Sequence, residues 1–197
     1  MNISLSTRDL INIAIFAVID FVFFYICGMI GFVGPAFMFV GWTVGIIGGG
    51  VIIALLVSRV PKLGALTLTG FIIGLGMAPG HTIWIIPAGL VIWFIADLIA
   101  TQAGRATRVR PTNFIVAYAA TQIWMIVPLL PMVFNSDSYY EQVSEQMGDS
   151  YADDMQALFS VPVLVGWGFT VVLLGIIGGW FGVRMSRKHF ERAGLTR

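Results

Sequence analysis

Six stretches of this chain, at about 9–29, 36–58, 63–80, 82–100, 112–134 and 160–184, are almost wholly apolar and close to twenty residues long. A bilayer-crossing helix needs roughly 20 such residues, because hydrocarbon accepts only backbone whose polar groups bond one another. The stretches follow so closely that 197 residues leave no room for a separate soluble domain. Charged residues make up 11% of the chain, against about 25% in a soluble domain. The sequence thus predicts an all-α membrane protein, a six-transmembrane-helix bundle forming a single integral membrane domain over 1–197. No small-residue cleavage site follows the first stretch, so it is expected to stay as a helix rather than act as a signal peptide. Cys27 is alone, which excludes an internal disulfide and leaves it a packed thiol.

The charges give the bundle a direction. Arg8 precedes the first stretch, Arg59 and Lys62 separate the second and third, and Arg105, Arg108 and Arg110 separate the fourth and fifth. Arg184, Arg187, Lys188, Arg192 and Arg197 close the chain. The three opposite connections hold no Lys or Arg. With six crossings, the positive-inside rule places every cation and both termini in the cytoplasm of a bacterial cell membrane.

Local signals punctuate the rods. Ser6-Thr7-Arg8-Asp9 has the form of a capping box at the first helix start. Pro87, Pro128 and Pro131 fall inside predicted crossings, where each removes a hydrogen bond and frees acceptors near Ile83 and Trp124. Glycines recur every four residues at Gly41, Gly45 and Gly49, at Gly70 and Gly74, and at Gly175 and Gly179. Such stripes let helices approach closely where lipid supplies no hydrophobic drive between them. "GIIGG" occurs at 45–49 and 175–179, but the flanking residues differ, which argues against a repeat. Neither copy is followed by Lys-Ser/Thr, so the chain has no Walker-type phosphate loop.

One connection is polar. "NSDSYYEQVSEQMGDSYADDMQ", 135–156, holds six acids, with Tyr140, Val143 and Met147 at helical spacing. It reads as a short amphipathic helix on the outer side, either a solvated acidic loop or a lid over a pocket.

Within the first stretch, Asp20 stands among apolar residues roughly 18 Å from the inner boundary, a little past the middle of a ~30 Å core. An acid at that depth costs about 2.5–3.5 kcal/mol on insertion scales and belongs on the bundle interior. All Lys and Arg sit at the opposite ends, so His81 is the cation within its reach. The same outer half collects Tyr25, Trp42, Trp84, Gln122, Trp124 and Trp167. Aromatic walls with a few orienting polar groups are the composition of a small-molecule cavity. Asp97, near the other end, is expected to pair with Arg105 or Arg108, and Trp180 to anchor at the interface.

The size, the capped "STRDLINIAIFA" start, "GMAPGHTIW", "PLLP" and the ending "GGWFGVRMSRKHFERAG" resemble the Trep_Strep family of bacterial membrane proteins. That family is classed with the substrate-binding S components of energy-coupling factor (ECF) transporters. The resemblance implies capture of a vitamin-like micronutrient from outside. It also implies delivery with a T component and two ATPase subunits, with no cofactor and no nucleic acid. S components dock through small residues on the first helix, here Ala14 and Ala17. These are three apart instead of the usual four, though i and i+3 still share a face.

Two other classes compete. An intramembrane enzyme needs a catalytic set, and two His with no His-Glu-x-x-His spacing, His189 lying far from His81, do not supply one. A stand-alone proton-coupled transporter would use the buried acid but lacks the inverted repeat common in that class. A pocket with an acid, one His and no Lys or Arg disfavours polyanions and suits a neutral or cationic, partly aromatic ligand.

Overall fold

The computed structural model describes residues 4–105 and 109–186. Arg108, Arg187, Lys188, His189, Arg192 and Arg197 lie outside the described residues. The chain is a bundle of helices, with no strand among the described residues. The helices are α1 (Thr7–Gly28), α2 (Phe37–Arg59), α3 (Ala65–Met77), α4 (Ile85–Thr101) and α5 (Pro111–Thr121). After these come α6 (Pro131–Phe134), α7 (Ser136–Met147), α8 (Asp149–Leu158) and α9 (Val161–Met185).

Among the described residues, four segments are long and apolar enough to cross a membrane: Thr7–Val33, Phe37–Arg59, Pro111–Phe134 and Val161–Met185. The expected third and fourth crossings are shorter. With 13 and 17 residues, α3 and α4 rise only about 20 and 26 Å. Gly64, at φ +100°, delays the start of α3, and the Ala78–Gly80 3-10 turn with Pro79 ends it early. Apolar side chains ring the bundle: Ile15, Val18, Ile19, Val22 and Ile26 on α1, and Phe169, Leu173 and Ile177 on α9, are all exposed. That surface suits lipid and would be costly in water.

The capping box forms as the sequence indicates. Ser6 N–H donates to Asp9 Oδ2 at 2.8 Å, and Asp9 N–H donates to Ser6 Oγ at 3.3 Å. Lys62 adds an ion pair to Asp9 Oδ2 at 2.7 Å, tying the start of α1 to the α2–α3 turn. Asp97 does not pair with Arg105. It is fully buried, and its Oδ2 accepts from Gly64 N–H at 2.7 Å, Thr67 N–H at 3.0 Å and Thr67 Oγ1 at 2.8 Å. A carboxylate on α4 thus caps the free amides of α3, a use of charge that helix ends favour.

Glycine stripes set the helix contacts. Gly45 packs against the Phe24 ring, where a Cβ would lie 2.7 Å from it, and Gly49 meets Asp20, bringing α1 onto α2. Gly50 faces Gly178 and Gly182 on α9. The two "GIIGG" segments pack on one another here, with Gly178 against the Ile46 carbonyl.

Proline placement differs in effect from its reading in sequence. Pro87 is the third residue of α4, in the first turn, where its missing donor costs no intrahelical bond. The fifth crossing changes form well before Pro128. After α5 it continues as a 3-10 segment, Gln122–Leu129, and Gln122 N–H turns to the Ala119 carbonyl. The Tyr118 carbonyl, released from the α-helical ladder, accepts instead from Thr121 Oγ1 at 2.6 Å and Gln122 Nε2 at 3.2 Å.

The acidic connection forms two helices, α7 and α8, folded back on each other at Gly148 (φ +89°). Tyr140, Ala152 and Met155 are buried beneath them, and Val143 is half-buried. Met147, expected on the same stripe, is 37% exposed because α7 ends there. Tyr151 O–H donates to the Gly31 carbonyl at 2.8 Å, pinning α8 to the turn after α1.

Candidate functional site

Two small chambers lie in line inside the bundle. The outer one, of about 60 Å³, sits beneath α7 and α8. Met38 and Trp42 of α2, His81, Met125, Pro128 and Met132 line it, with Tyr139 and Met155 from above. The deep one, of about 20 Å³, has room for one or two water molecules. Asp20, Phe21, Ile46, Trp93, Tyr118 and Gln122 are on its walls. Phe24, Met77 and Trp124 belong to both chambers and form the neck between them. The Phe24 and Trp124 rings stand 5.9 Å apart, centroid to centroid.

Helix geometry explains the deep chamber. Asp20 is half-buried on α1, opposite the glycine stripe of α2. A side chain at Gly49 would begin 2.8 Å from Asp20 Oδ1 and 2.9 Å from the Tyr118 hydroxyl. The two polar groups therefore converge on one bare patch of α2 backbone. Tyr118 and Gln122 are i and i+4 on one helix face. Tyr118 O–H donates to the Ile46 carbonyl at 2.6 Å, and Gln122 gives its amide N–H groups to the Tyr118 carbonyl and Thr121 Oγ1. Among the described residues, no side chain donates a hydrogen bond to Asp20.

The residues expected at the site divide. Asp20, Gln122 and Trp124 line the deep chamber, and Trp42, His81 and Trp124 the outer one. The expected Asp20–His81 pair is absent, because the two side chains face different chambers. Among the described residues the sole ion pair is Lys62–Asp9. The His81 Nδ1 lies 3.3 Å from the Met77 carbonyl, which only a protonated Nδ1 can bond. Trp167 stands just behind the outer wall, its ring 5.6 Å from Trp42 and 4.8 Å from Phe39, with its buried Nε1–H unpartnered.

Tyr25 and Trp84 lie away from both chambers. Tyr25 is 55% exposed on the outer face of α1 beside Phe21, and Trp84 is 70% exposed at the start of α4. Tyr25 faces away from the bundle interior, and Trp84 precedes α4 in the turn that follows α3. Of the two expected docking alanines, Ala14 is exposed while Ala17 is fully buried in its own bundle.

Sequence reasoning passed over Tyr118, Trp93 and the methionines. Tyr118 carried a signal, four residues before Gln122. The outer chamber takes Met38, Met77, Met125, Met132 and Met155, more than half of the nine in the chain. Methionine is flexible and polarizable, so these walls adapt to a guest and contact aromatic rings favourably. Above them, burial and the neighbouring Tyr140 and Tyr151 push the Tyr139 phenol up to about 12, so that phenol stays neutral over the chamber.

A family model described as "Hypothetical bacterial integral membrane protein (Trep_Strep)" matches residues 7–192. No curated protein and no solved structure matches the chain.

Proposed function

The chain belongs to the Trep_Strep family of bacterial integral membrane proteins, and on that footing we propose that it is the substrate-binding S component of an ECF-type importer. In this reading it captures a vitamin-like micronutrient from outside and releases it inward through a T component and two ATPase subunits. It binds and delivers; it does no bond chemistry. Both termini lie in the cytoplasm, α3 and α4 complete six crossings despite their length, and α7 and α8 roof the outer opening.

The observation that carries this reading is the line of two chambers running from beneath the α7–α8 roof to an unpartnered acid within the bundle. Such a path begins beneath the α7–α8 pair and ends beside Asp20. Its volumes are too small for a vitamin-sized molecule, so capture requires the roof and the methionine walls to move apart. The exposed face of α1, with Ala14 among Ile11, Ile15 and Val18, is the surface offered to a T component.

Affinity purification of the tagged chain from its native membrane tests the reading. A T component and ATPases should come with it, and uptake should stop when the ATPases are inactivated. The unpartnered Asp20 also favours a second reading, a stand-alone proton-coupled transporter. Gradient-driven uptake by the chain alone in proteoliposomes would establish that reading in place of the first.

A further inference from the structure

Donor and acceptor bookkeeping in the deep chamber narrows the ligand. Gln122 Nε2 bonds the Tyr118 carbonyl and Thr121 Oγ1. A carbonyl only accepts, so the orientation of the Gln122 amide is fixed and its Oε1 is the atom left over. The Tyr118 proton is likewise committed to the Ile46 carbonyl, which leaves the phenol oxygen as an acceptor. Asp20 receives no hydrogen bond among the described residues, and the indole N–H groups of Trp93 and Trp124 make none to it. No Lys, Arg or His lines the chamber. The Asp20 carboxyl and the Tyr118 oxygen therefore converge beside Gly49, with Gln122 on the same wall and no resident cation. The surrounding rings of Phe21, Phe24, Trp93 and Trp124 also favour positive charge at their faces.

We infer that the deep chamber binds a protonated primary amine, whose N–H donors meet Asp20 and Tyr118 beside Gly49, while the apolar body of the same ligand lies in the methionine-lined outer chamber. The inference rests on the small-molecule binding reading above. Size sharpens it. An ammonium head is about as large as the water molecules the 20 Å³ space admits, whereas a trimethylammonium head is not. Recognition then depends on N–H donors as well as charge.

Calorimetric titration of the purified full chain in nanodiscs tests this with four probes that share one phenyl body. These are 2-phenylethylamine, its N,N,N-trimethyl derivative, 2-phenylethanol and phenylacetate. The amine should bind at least about tenfold more tightly than each of the others, the scale of one charge-assisted hydrogen bond. Asp20→Asn should remove that preference, so that amine and alcohol bind the variant equally. Equal binding of amine and alcohol overturns the inference, as does preference for phenylacetate, tolerance of the trimethyl head, or a heat that follows sodium and not the amine. Comparison of the four probes on the unaltered protein decides the matter even where the variant does not fold. Amine selectivity without co-purifying partners would leave this site standing and remove the importer. Partners without amine selectivity would do the reverse.

Discussion

At Asp20 the carboxyl shares a bare patch of α2 backbone with the Tyr118 hydroxyl, and Gly49 is the residue that keeps the patch bare. A methyl group at position 49 would lie 2.8 and 2.9 Å from the two oxygens, closer than carbon and oxygen tolerate. The Tyr118 hydroxyl cannot retreat easily, because it is held by its bond to the Ile46 carbonyl. Gly49→Ala is therefore expected to cost about 1–3 kcal/mol by overpacking and to fill the deep chamber. Gly28→Ala serves as the control, since nothing lies within 4 Å of its added carbon and its backbone is helical. That change should be neutral or slightly stabilising. Thermal unfolding in detergent compares the two, and an unshifted midpoint for Gly49→Ala would refute the close approach. Asp97 shows how little a lone acid reveals of its role in sequence. It has the same side chain as the half-buried Asp20 and lies deeper, yet its Oδ2 accepts from three donors at the start of α3.

Among elements, the α7–α8 pair packs over the outer chamber through Tyr140, Ala152 and Met155, with Tyr139, Val143, Tyr151 and Leu158 partly buried beside them, and its fold-back depends on a glycine in the left-handed region at Gly148. The bond from Tyr151 to the Gly31 carbonyl fastens the free end of the pair. Tyr151→Phe should loosen α8 without unfolding the bundle, at a cost near 1 kcal/mol. Hydrogen–deuterium exchange should then rise several-fold over 149–158 and stay unchanged in α2 and α9, and uniform protection would refute the fastening role. Helical spacing in 135–156 already revealed the buried Tyr140, because a 3.6-residue period shows in any sequence. That Gly148 divides the segment in two was legible only as a glycine among acids. The 3-10 stretch at Gln122–Leu129 was less legible still. Pro128 announces a break, but the ladder shifts six residues earlier, where Thr121 and Gln122 take over the Tyr118 carbonyl. Sequence gives the depth of a side chain along a helix more readily than its face, which depends on how neighbours rotate the rod. Tyr25 and Trp84 are exposed and line neither chamber.

For the whole molecule, polarity is the property on which any uptake role depends. Arg8, Arg59, Lys62, Arg105, Arg110 and Arg184 all sit at helix ends remote from the acidic α7–α8 pair. A bilayer reads that difference, because cations near crossing segments are retained on the cytoplasmic side. The α3–α4 hairpin is short for a ~30 Å core. If it crosses, the α4–α5 connection and the α2–α3 turn share the cytoplasmic face. Single cysteines placed in a Cys27→Ser background resolve the point, and Gln146 and Gln102 are exposed positions suited to them. In intact cells an impermeant maleimide should label a cysteine at 146 and spare one at 102, with both reacting after the membrane is opened. A cysteine at 79, in the exposed turn between α3 and α4, should label from outside like 146 if the hairpin spans. Labelling at 102 in intact cells with none at 146 would turn the chambers to face the cytoplasm. The acid at position 20 would then be reached from within, and capture from outside would have no entrance.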